Sequence, residues 1–417
     1  MKIIRGLFRD HDFRRFWLAD TLSQVGTRVS ALALPLLAVL VLDASAFEVS
    51  LLKTLQTVAF LLVGLQVGAW CDRWRCRPVM VVADLGRAVA LGSIPLAAVF
   101  GVLTMAHLFA AVFTAGVFTV FFDVAHQSYL PRLVDKEHLV EGNAKLRASM
   151  SAAAIAAPGL AGGLVQWVGA PVAVLLDALS YLWSAIWLRS IKRVEPPPPP
   201  GRTMRADIAE GLRFVLRHPV LRATSAANAT LGLFQSAHLA IVVVFLVRDV
   251  GLSAGLIGLL STLGVVGALA AALVARKAAD RIGAARLLWI SAVANGCFQL
   301  LFPLTGPGWR LTFYLVALFG TAVAITLYTV MHASVQQALC PTPLLGRMNA
   351  TSNFLFWGAA ALGSTLAGIT ATLLGLRPTL WLAATGVLLS ATWLVLSPLR
   401  TLRAITPPES DTETPSA

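Results

Sequence analysis

The chain has 417 residues, 57% of them hydrophobic and only 13% charged, with a formal net charge of +13. So apolar a composition leaves no room for a soluble domain of useful size. The basic charge does not describe a nucleic-acid face either: about 27 of the 33 Lys and Arg fall in alternate loops and the two tails, a pattern that follows membrane topology.

Twelve apolar stretches of about 18–29 residues follow one another, each long enough as a helix to cross a bilayer core of about 30 Å. In chain order the predicted spans are Phe16–Leu42, Ser50–Trp70, Pro78–Val102, Leu108–Leu130, Ala148–Val168, Pro171–Leu188, Ala223–Val247, Leu252–Ala275, Leu287–Leu304, Leu311–Leu339, Phe354–Leu374 and Pro378–Leu396. The loops rich in Lys and Arg alternate with loops holding only Arg248, Arg310 and Arg377. The positive-inside rule then places both termini of this multi-pass membrane protein in the cytoplasm.

The longest connection, Arg189 to Arg222, holds the run Pro196 to Pro200, a polyproline spacer that cannot join a helix. Beyond it, residues 208–217 read as an amphipathic segment lying along the membrane surface. This linker divides the spans six and six, and the halves repeat. Asp72-Arg73 follows span two and Asp280-Arg281 follows span eight. Asn143, just before span five, and Gly162 inside it are matched, at the same spacing, by Asn349 just before span eleven and Gly368 inside it. The expected organisation is an all-α membrane protein with an N-terminal half (1–189), a linker (190–222), a C-terminal half (223–398) and a disordered cytoplasmic tail (399–417).

The turn Gly68-Ala69-Trp70-Cys71-Asp72-Arg73-Trp74-Arg75-Cys76-Arg77 resembles the loop signature Gly-x-x-x-Asp-Arg-x-Gly-Arg-Arg of the major facilitator superfamily, with Arg75 in place of Gly and Cys76 in place of Arg. A second copy ends Asp280-Arg281-Ile282-Gly283. The resemblance covers about Phe8 to Leu399. It is nearest to the branch of macrolide and siderophore (enterobactin) exporters, through residues 12–17, 33–37, 128–134 and 158–163. The last stretch, with Pro158, Gly159, Gly162 and Gly163, is similar to the fifth-helix signature of exporters, although Ala157 stands where Gly is common. The resemblance implies the twelve-helix major facilitator fold and proton-driven export of a drug-like or siderophore-like small molecule by alternating access.

It also assigns residues. Asp72, with Gly68, Arg73 and Arg77, would latch onto the start of span eleven near Asn349; Asp280, with Arg281 and Gly283, would latch onto the start of span five near Asn143. A carboxylate at a helix N-terminus contributes about 0.3–1 kcal/mol, a size that suits a switch. The plainer reading of the same turn is a topogenic basic loop with one neutralising carboxylate.

Polar residues inside spans are costly and mark pathways. Asp20, Gln24 and Arg28 recur on one face of span one; Asp123, His126 and Gln127 cluster in span four. Asn228, Gln235 and His238 share a stripe in span seven, and Tyr328, His332 and Gln336 share one in span ten. In the family these four spans line the central cavity. Asp123 is the first candidate for proton coupling, with His126 as a relay and Asp20 as second candidate; the competing role for Asp123 is a structural pair with Arg87 or Arg28. Taken singly, His126, His238 and His332 read as packing residues, and Asp84 with Arg87 as structural. The other polar residues inside spans are Lys53, Gln56, Asp177, Asn295 and Gln299.

The sequence has no phosphate-binding loop, zinc-protease or esterase motif, so neither an ATP-driven pump nor an enzyme is expected. No cofactor or metal is expected. The partners are a small-molecule substrate, protons and the bilayer, with no nucleic acid, and one chain holding both halves needs no second copy. An importer of the same fold, or a non-transporting receptor or assembly factor, are the alternatives.

Overall fold

The computed structural model describes residues 6–71, 74–193, 195, 213, 216–340 and 345–400. Twelve of its helices are long and apolar enough to cross a membrane. They are α1 (His11–Leu40), α2 (Ala46–Cys71), α3 (Cys76–Val99), α4 (Met105–Leu133), α5 (Leu139–Val168) and α6 (Ala170–Ser190), then α7 (Pro219–Arg248), α8 (Ala254–Ile282), α9 (Ala284–Gln299), α10 (Leu311–Leu339), α11 (Leu345–Leu374) and α12 (Leu376–Ser390), which a turn continues into the short α13 (Thr392–Val395). There is no strand among the described residues. Each predicted span overlaps one of these helices; several helices outrun their spans, whereas the span predicted to Leu304 outruns α9, which ends at Gln299 before a 3-10 turn at Phe302–Leu304, and the span predicted to Leu396 outruns α12. The 30 residues of α5 extend to about 45 Å, beyond a bilayer core of about 30 Å, so its first turns through Glu141, Lys145 and Arg147 project past the apolar zone. The proposed amphipathic segment and residues 401–417 lie outside the described residues, except Arg213, Leu216 and Arg217.

Local chemistry explains the helix ends. Asp10 caps α1 by accepting from the backbone N–H groups of Asp12 (2.8 Å) and Phe13 (3.3 Å). Thr104 and Ser253 cap α4 and α8 in the same way. The turns between α5 and α6 and between α11 and α12 pass through Gly169 (φ +89°) and Gly375 (φ +93°), left-handed positions that suit glycine. These two glycines keep the offset already seen between Asn143 and Asn349, and so extend the internal repeat.

Within the N-terminal half, α1 packs on α5 and α6, α3 on α4 and α6, and α2 on α4; the C-terminal half repeats this with α7 on α11 and α12, α9 on α10 and α12, and α8 on α10. The halves meet where α5 crosses α8 and α2 crosses α11. These crossings are tightest toward the end of the bundle away from the linker, here called the distal end. One apolar cluster there draws on both halves, joining Leu34, Leu37 and Ala161 to Ile241, Phe245 and Ile257. Toward the opposite, linker end the two halves hold separate cores, one around Phe13, Phe16 and Met80 and one around Leu288, Met331 and Val335. Among the described residues the cross-half polar contacts agree: Thr54 to Ser364 (2.8 Å), Asp43 to Arg248 (2.7 Å) and Gly255 N–H to Gln166 (3.4 Å) all lie distally. The bundle is closed at its distal end and parted at its linker end.

The distal closure rests on backbone proximity. A Cβ on Gly162 of α5 would stand 2.6 Å from the Ala254 carbonyl oxygen and 2.7 Å from the Gly258 Cα of α8. Its repeat partner Gly368 of α11 does the same against α2, with a Cβ position 2.9 Å from Ser50 Cβ and 3.1 Å from Phe47 Cα. Small residues let helices approach this closely in lipid, where dispersion and not water drives packing.

At the linker end, the segment following α6 ties α1, α3 and α4 together. Asp12 accepts from the N–H groups of Lys192 (3.1 Å) and Arg193 (2.8 Å), and Arg193 pairs with Asp135 (2.8 Å). Arg77 donates to the Ile191 carbonyl. Glu195 accepts from the N–H groups of Cys76 (2.7 Å) and Arg77 (3.2 Å) and from Arg132 (2.6 Å), and so caps α3, whose own N-cap Arg75 supplies no side-chain bond. Partial burial pushes the Glu195 carboxyl up, but these donors outweigh it and hold the group below its ordinary range.

Two predictions follow from these contacts. Gly162→Leu should part α5 from α8, so that a cysteine placed at the buried position Ala254 is labelled by maleimide several times faster in purified protein; unchanged labelling would refute the closure. Glu195→Ala should lower the thermal midpoint at pH 7.5 by an amount corresponding to about 1–2 kcal/mol. Because the folded-state pKa is depressed, that stabilisation is full above the unfolded value of about 4.3 and fades as pH falls through the folded one, so the wild-type advantage should shrink in acid.

Candidate functional site

The parted halves enclose a cavity of two adjoining lobes that share Ala31, Leu34, Lys53 and Gln56. The first, about 310 Å³, is walled by α1, α2, α3, α4 and α6 and touched by Trp357 of α11. The second, about 430 Å³, lies between the halves, against α7, α8 and α10 and the end of α9.

Charge is divided unequally around them. Between residues 223 and 375, the only Asp, Glu, Lys and Arg are those near helix ends, and the spans of the C-terminal half carry no charge in their interiors. The N-terminal half carries Asp20, Arg28, Lys53, Asp84, Arg87, Asp123 and Asp177 inside its spans. Asp123 stands on the wall of the first lobe with its side chain accessible from the cavity. Asp177 lines the same lobe from a buried position and accepts from Ser180 Oγ (3.3 Å). Tyr181 Oη lies 2.9 Å from Thr27 Oγ1, joining α6 to α1. Behind them the buried Arg87 pairs with Asp84 and is sandwiched between the rings of Phe122 (4.1 Å) and Tyr181 (4.2 Å). Nearer the linker end, His126 Nε2 stands 3.1 Å from the buried Asp20 carboxylate, with its ring between Phe16 and Phe122. Gln24 Nε2 also reaches Asp20, at 3.4 Å. One carboxylate oxygen on each of Asp20, Asp84 and Asp177 is buried with no hydrogen-bond partner. The arrangement sets one cavity-accessible carboxylate, Asp123, beside a group of buried charged side chains.

The second lobe is mainly apolar. Gln299 Nε2 donates to Gln235 Oε1 (2.9 Å), and the buried His238 packs on Phe302 with ring centroids 4.4 Å apart.

The sequence-predicted residues are placed as follows. Asp123, Gln235 and His238 line the lobes. Asp20, Gln24 and His126 form one cluster away from them. Arg28 and Gln127 are exposed and Asn228 is half-buried; none of the three has a hydrogen bond or ion pair among the described residues, and Asp123 pairs with neither Arg28 nor Arg87. The stripe on α10 differs from expectation. Tyr328, His332 and Gln336 are buried, with Tyr328 and His332 stacked and Gln336 donating to Ser352 of α11 (3.1 Å). That face of α10 packs on its own half and lines neither lobe. In α5, Pro158, Gly159 and Gly162 face α8, whereas Gly163 meets nothing within 4 Å.

Of the gating residues, Gly68 lies in α2, and Asp72 and Arg73 fall outside the described residues. Arg77 serves the linker clamp, Asp280 and Arg281 are exposed, and Gly283 (φ +92°) turns the chain from α8 into α9. Asp280 and Asn143 do not meet; Asn143 donates to Leu139 of its own helix. Lys53, Gln56, Asp177 and Gln299 line the cavity although α2, α6 and α9 were not assigned to it. A lone lysine at the fourth position of the predicted span Ser50–Trp70 was the available signal.

The profile described as transmembrane secretion effector, a major facilitator group, matches residues 6–416. The enterobactin exporter EntS of Salmonella typhimurium is 28% identical over 413 residues, covering 96% of this chain and 95% of that protein. The multidrug efflux pump Tap of Mycolicibacterium fortuitum is 28% identical over 369 residues, covering 85% of this chain and 88% of that one. Among solved structures, the nucleoside transporter NupG superposes with a TM-score of 0.77 at 11% identity, covering 92% of this chain and 98% of that one. A bacterial homologue of the iron transporter ferroportin in an inward-facing state gives 0.74 at 18%, covering 94% and 99%. At these identities the structural likeness speaks for the fold.

The Arg87–Asp84 pair generates a stability test. Arg87→Met should orphan the buried Asp84 and cost about 3–5 kcal/mol, seen as a large drop in thermal midpoint, while Asp84→Asn with Arg87→Met should recover most of it. A double variant as unstable as the single one would show that Arg87 acts through something other than Asp84.

Proposed function

This chain belongs to the transmembrane secretion effector family of the major facilitator superfamily, and we propose that it is a proton-driven exporter of an amphipathic small molecule. It is a membrane transporter, and twelve membrane-crossing helices with bacterial transporter relatives suggest a multi-pass protein of a bacterial inner membrane. The observation that carries the finer reading is the confinement of intramembrane Asp, Lys and Arg to one half: Asp123 opens onto a lobe that Asp177 also lines and that Arg87 and Asp84 back, while the spans of the facing half hold none of these in their interiors. The similarity to EntS, an enterobactin exporter, and to Tap, a multidrug efflux pump, supports the outward direction.

In this reading both termini and the linker are cytoplasmic, and the parted end admits substrate from the cell. Asp123 releases its proton to that side as substrate enters. The halves then rock: the Gly162–Gly258 and Gly368–Phe47 approaches separate, and Asp72 and Asp280 latch onto the starts of α11 and α5. Each latch is worth about 0.3–1 kcal/mol, enough to bias two states that differ by a few kcal/mol. Proton uptake by Asp123 from outside accompanies substrate release and returns the carrier. A single chain, holding both halves, completes this cycle as a monomer.

The test is accumulation of a dye and antibiotic panel in bacteria lacking their main efflux pumps. Wild type should lower accumulation of at least one compound, a protonophore should abolish the difference, and Asp123→Asn should reduce the efflux rate about tenfold or more at equal expression. Asp72→Asn should slow efflux severalfold. Raised accumulation would indicate import, and a fully active Asp123→Asn protein would place the proton elsewhere.

A further inference from the structure

Lys53 is the least expected group in the cavity. It sits seven residues into α2, is half-buried, and lines both lobes. Among the described residues its side-chain nitrogen has neither a hydrogen bond nor an ion pair, although Asp123 and Asp177 border the first lobe with it. An ammonium at membrane depth without a counter-ion is costly, and such groups persist where a pathway or ligand uses them. In the second lobe Lys53 is the only charged side chain among the described lining residues. Two residues of that lobe's lining each keep a polar atom without a hydrogen-bond partner, Gln299 Oε1 and His238 Nδ1, both buried behind the surface of the lobe. The rest of its surface is aliphatic and aromatic, including Phe302 and Tyr314. Its volume, about 430 Å³, lies within the range of drug-sized sites.

We propose that the second lobe is a binding site for an organic anion with a ring-bearing apolar body, and that Lys53 is the residue that binds its acidic group. The body fills the space against Phe302 and Tyr314. The position of Lys53 on the wall shared by the lobes separates the two charges that matter. The ligand's anion meets the ammonium from one side and the titrating carboxylate Asp123 remains in the other lobe. An organic cation, by contrast, would find no carboxylate among the described residues lining the second lobe. This site rests on the transporter reading for its cargo, but binding needs neither a proton gradient nor a direction.

The experiment is equilibrium binding to purified, detergent-solubilised protein at pH 7.5 by fluorescence polarisation. Its two probes share a xanthene frame: fluorescein, an anion, and rhodamine 123, an esterified cation. Wild type should bind fluorescein more tightly than rhodamine 123. Lys53→Gln should weaken fluorescein about tenfold or more, the loss expected for one hydrogen bond to a charged group, and leave rhodamine 123 within about threefold. Lys53→Arg should retain most of the fluorescein affinity. Should the variants not fold, competition on the wild type decides: naphthalene-2-carboxylate should displace fluorescein and naphthalene-2-carboxamide should not. Preference for rhodamine 123, no saturable fluorescein binding, equal affinity of the folded Lys53→Gln protein, or equal competition by acid and amide each overturns the proposal. Protonophore-insensitive transport alongside the expected dye binding would overturn only the proton-driven reading; sensitive transport with none of the binding differences would overturn only this one.

Discussion

The rest of the structure depends on two close helix crossings at the distal end. Where α5 meets α8, backbone approaches backbone because Gly162 and Gly258 present no side chain; where α2 meets α11, Gly368 does the same. In lipid there is no hydrophobic gain from joining two apolar helices, so a crossing must be held by close dispersion contact and by polar groups with no better partner. The hydrogen bond from Thr54 to Ser364 is of the second kind. Both crossings are built from repeat-related positions, Gly162 and Gly368. The cavity, its opening toward the linker end, and the separation of the two cores at that end all follow from closure at the other.

The clamp around Glu195 works within one half, and the distinction matters for motion. Arg77, Arg132, Arg193 and Asp12 bind the segment after α6 to the ends of α1, α3 and α4. None of these bonds reaches the C-terminal half. A rocking motion needs halves that are stiff inside and weakly joined across, and the placement of polar bonds meets that need: dense at the linker end of the N-terminal half, sparse across the interface.

Much of the fold was legible because the bilayer imposes one local rule. Every backbone group must be bonded within its own helix, so length and apolarity locate the spans with little interference from tertiary context. The repeat of Asn143 and Gly162 by Asn349 and Gly368 likewise pointed to paired halves. The site was less legible. Which face of a span meets the cavity is decided by how helices rotate against one another, and no periodicity in a nearly uniform apolar sequence reports it. The stripe Tyr328, His332 and Gln336 has the same spacing as a cavity face yet packs on its own half, with Gln336 bonded to Ser352. Lys53 and Asp177, on helices not assigned to the cavity, reach it because α2 and α6 turn those residues inward.

The unequal distribution of charge gives this arrangement its chemical logic. A carrier that exchanges one charged species for another must keep the two from neutralising each other inside the protein, or both would be trapped in a low-dielectric interior. Here the carboxylates belong to the first lobe and the ammonium of Lys53 stands at its border with the second. The half that faces them offers amide, imidazole and aromatic groups whose bonding changes little with protonation elsewhere. In the proposed cycle, changing Asp123 between its two forms would alter the field at Lys53 across the wall that the lobes share. Coupling of that kind would need only that both groups bias one two-state closure, with the distal crossings as the proposed switching element.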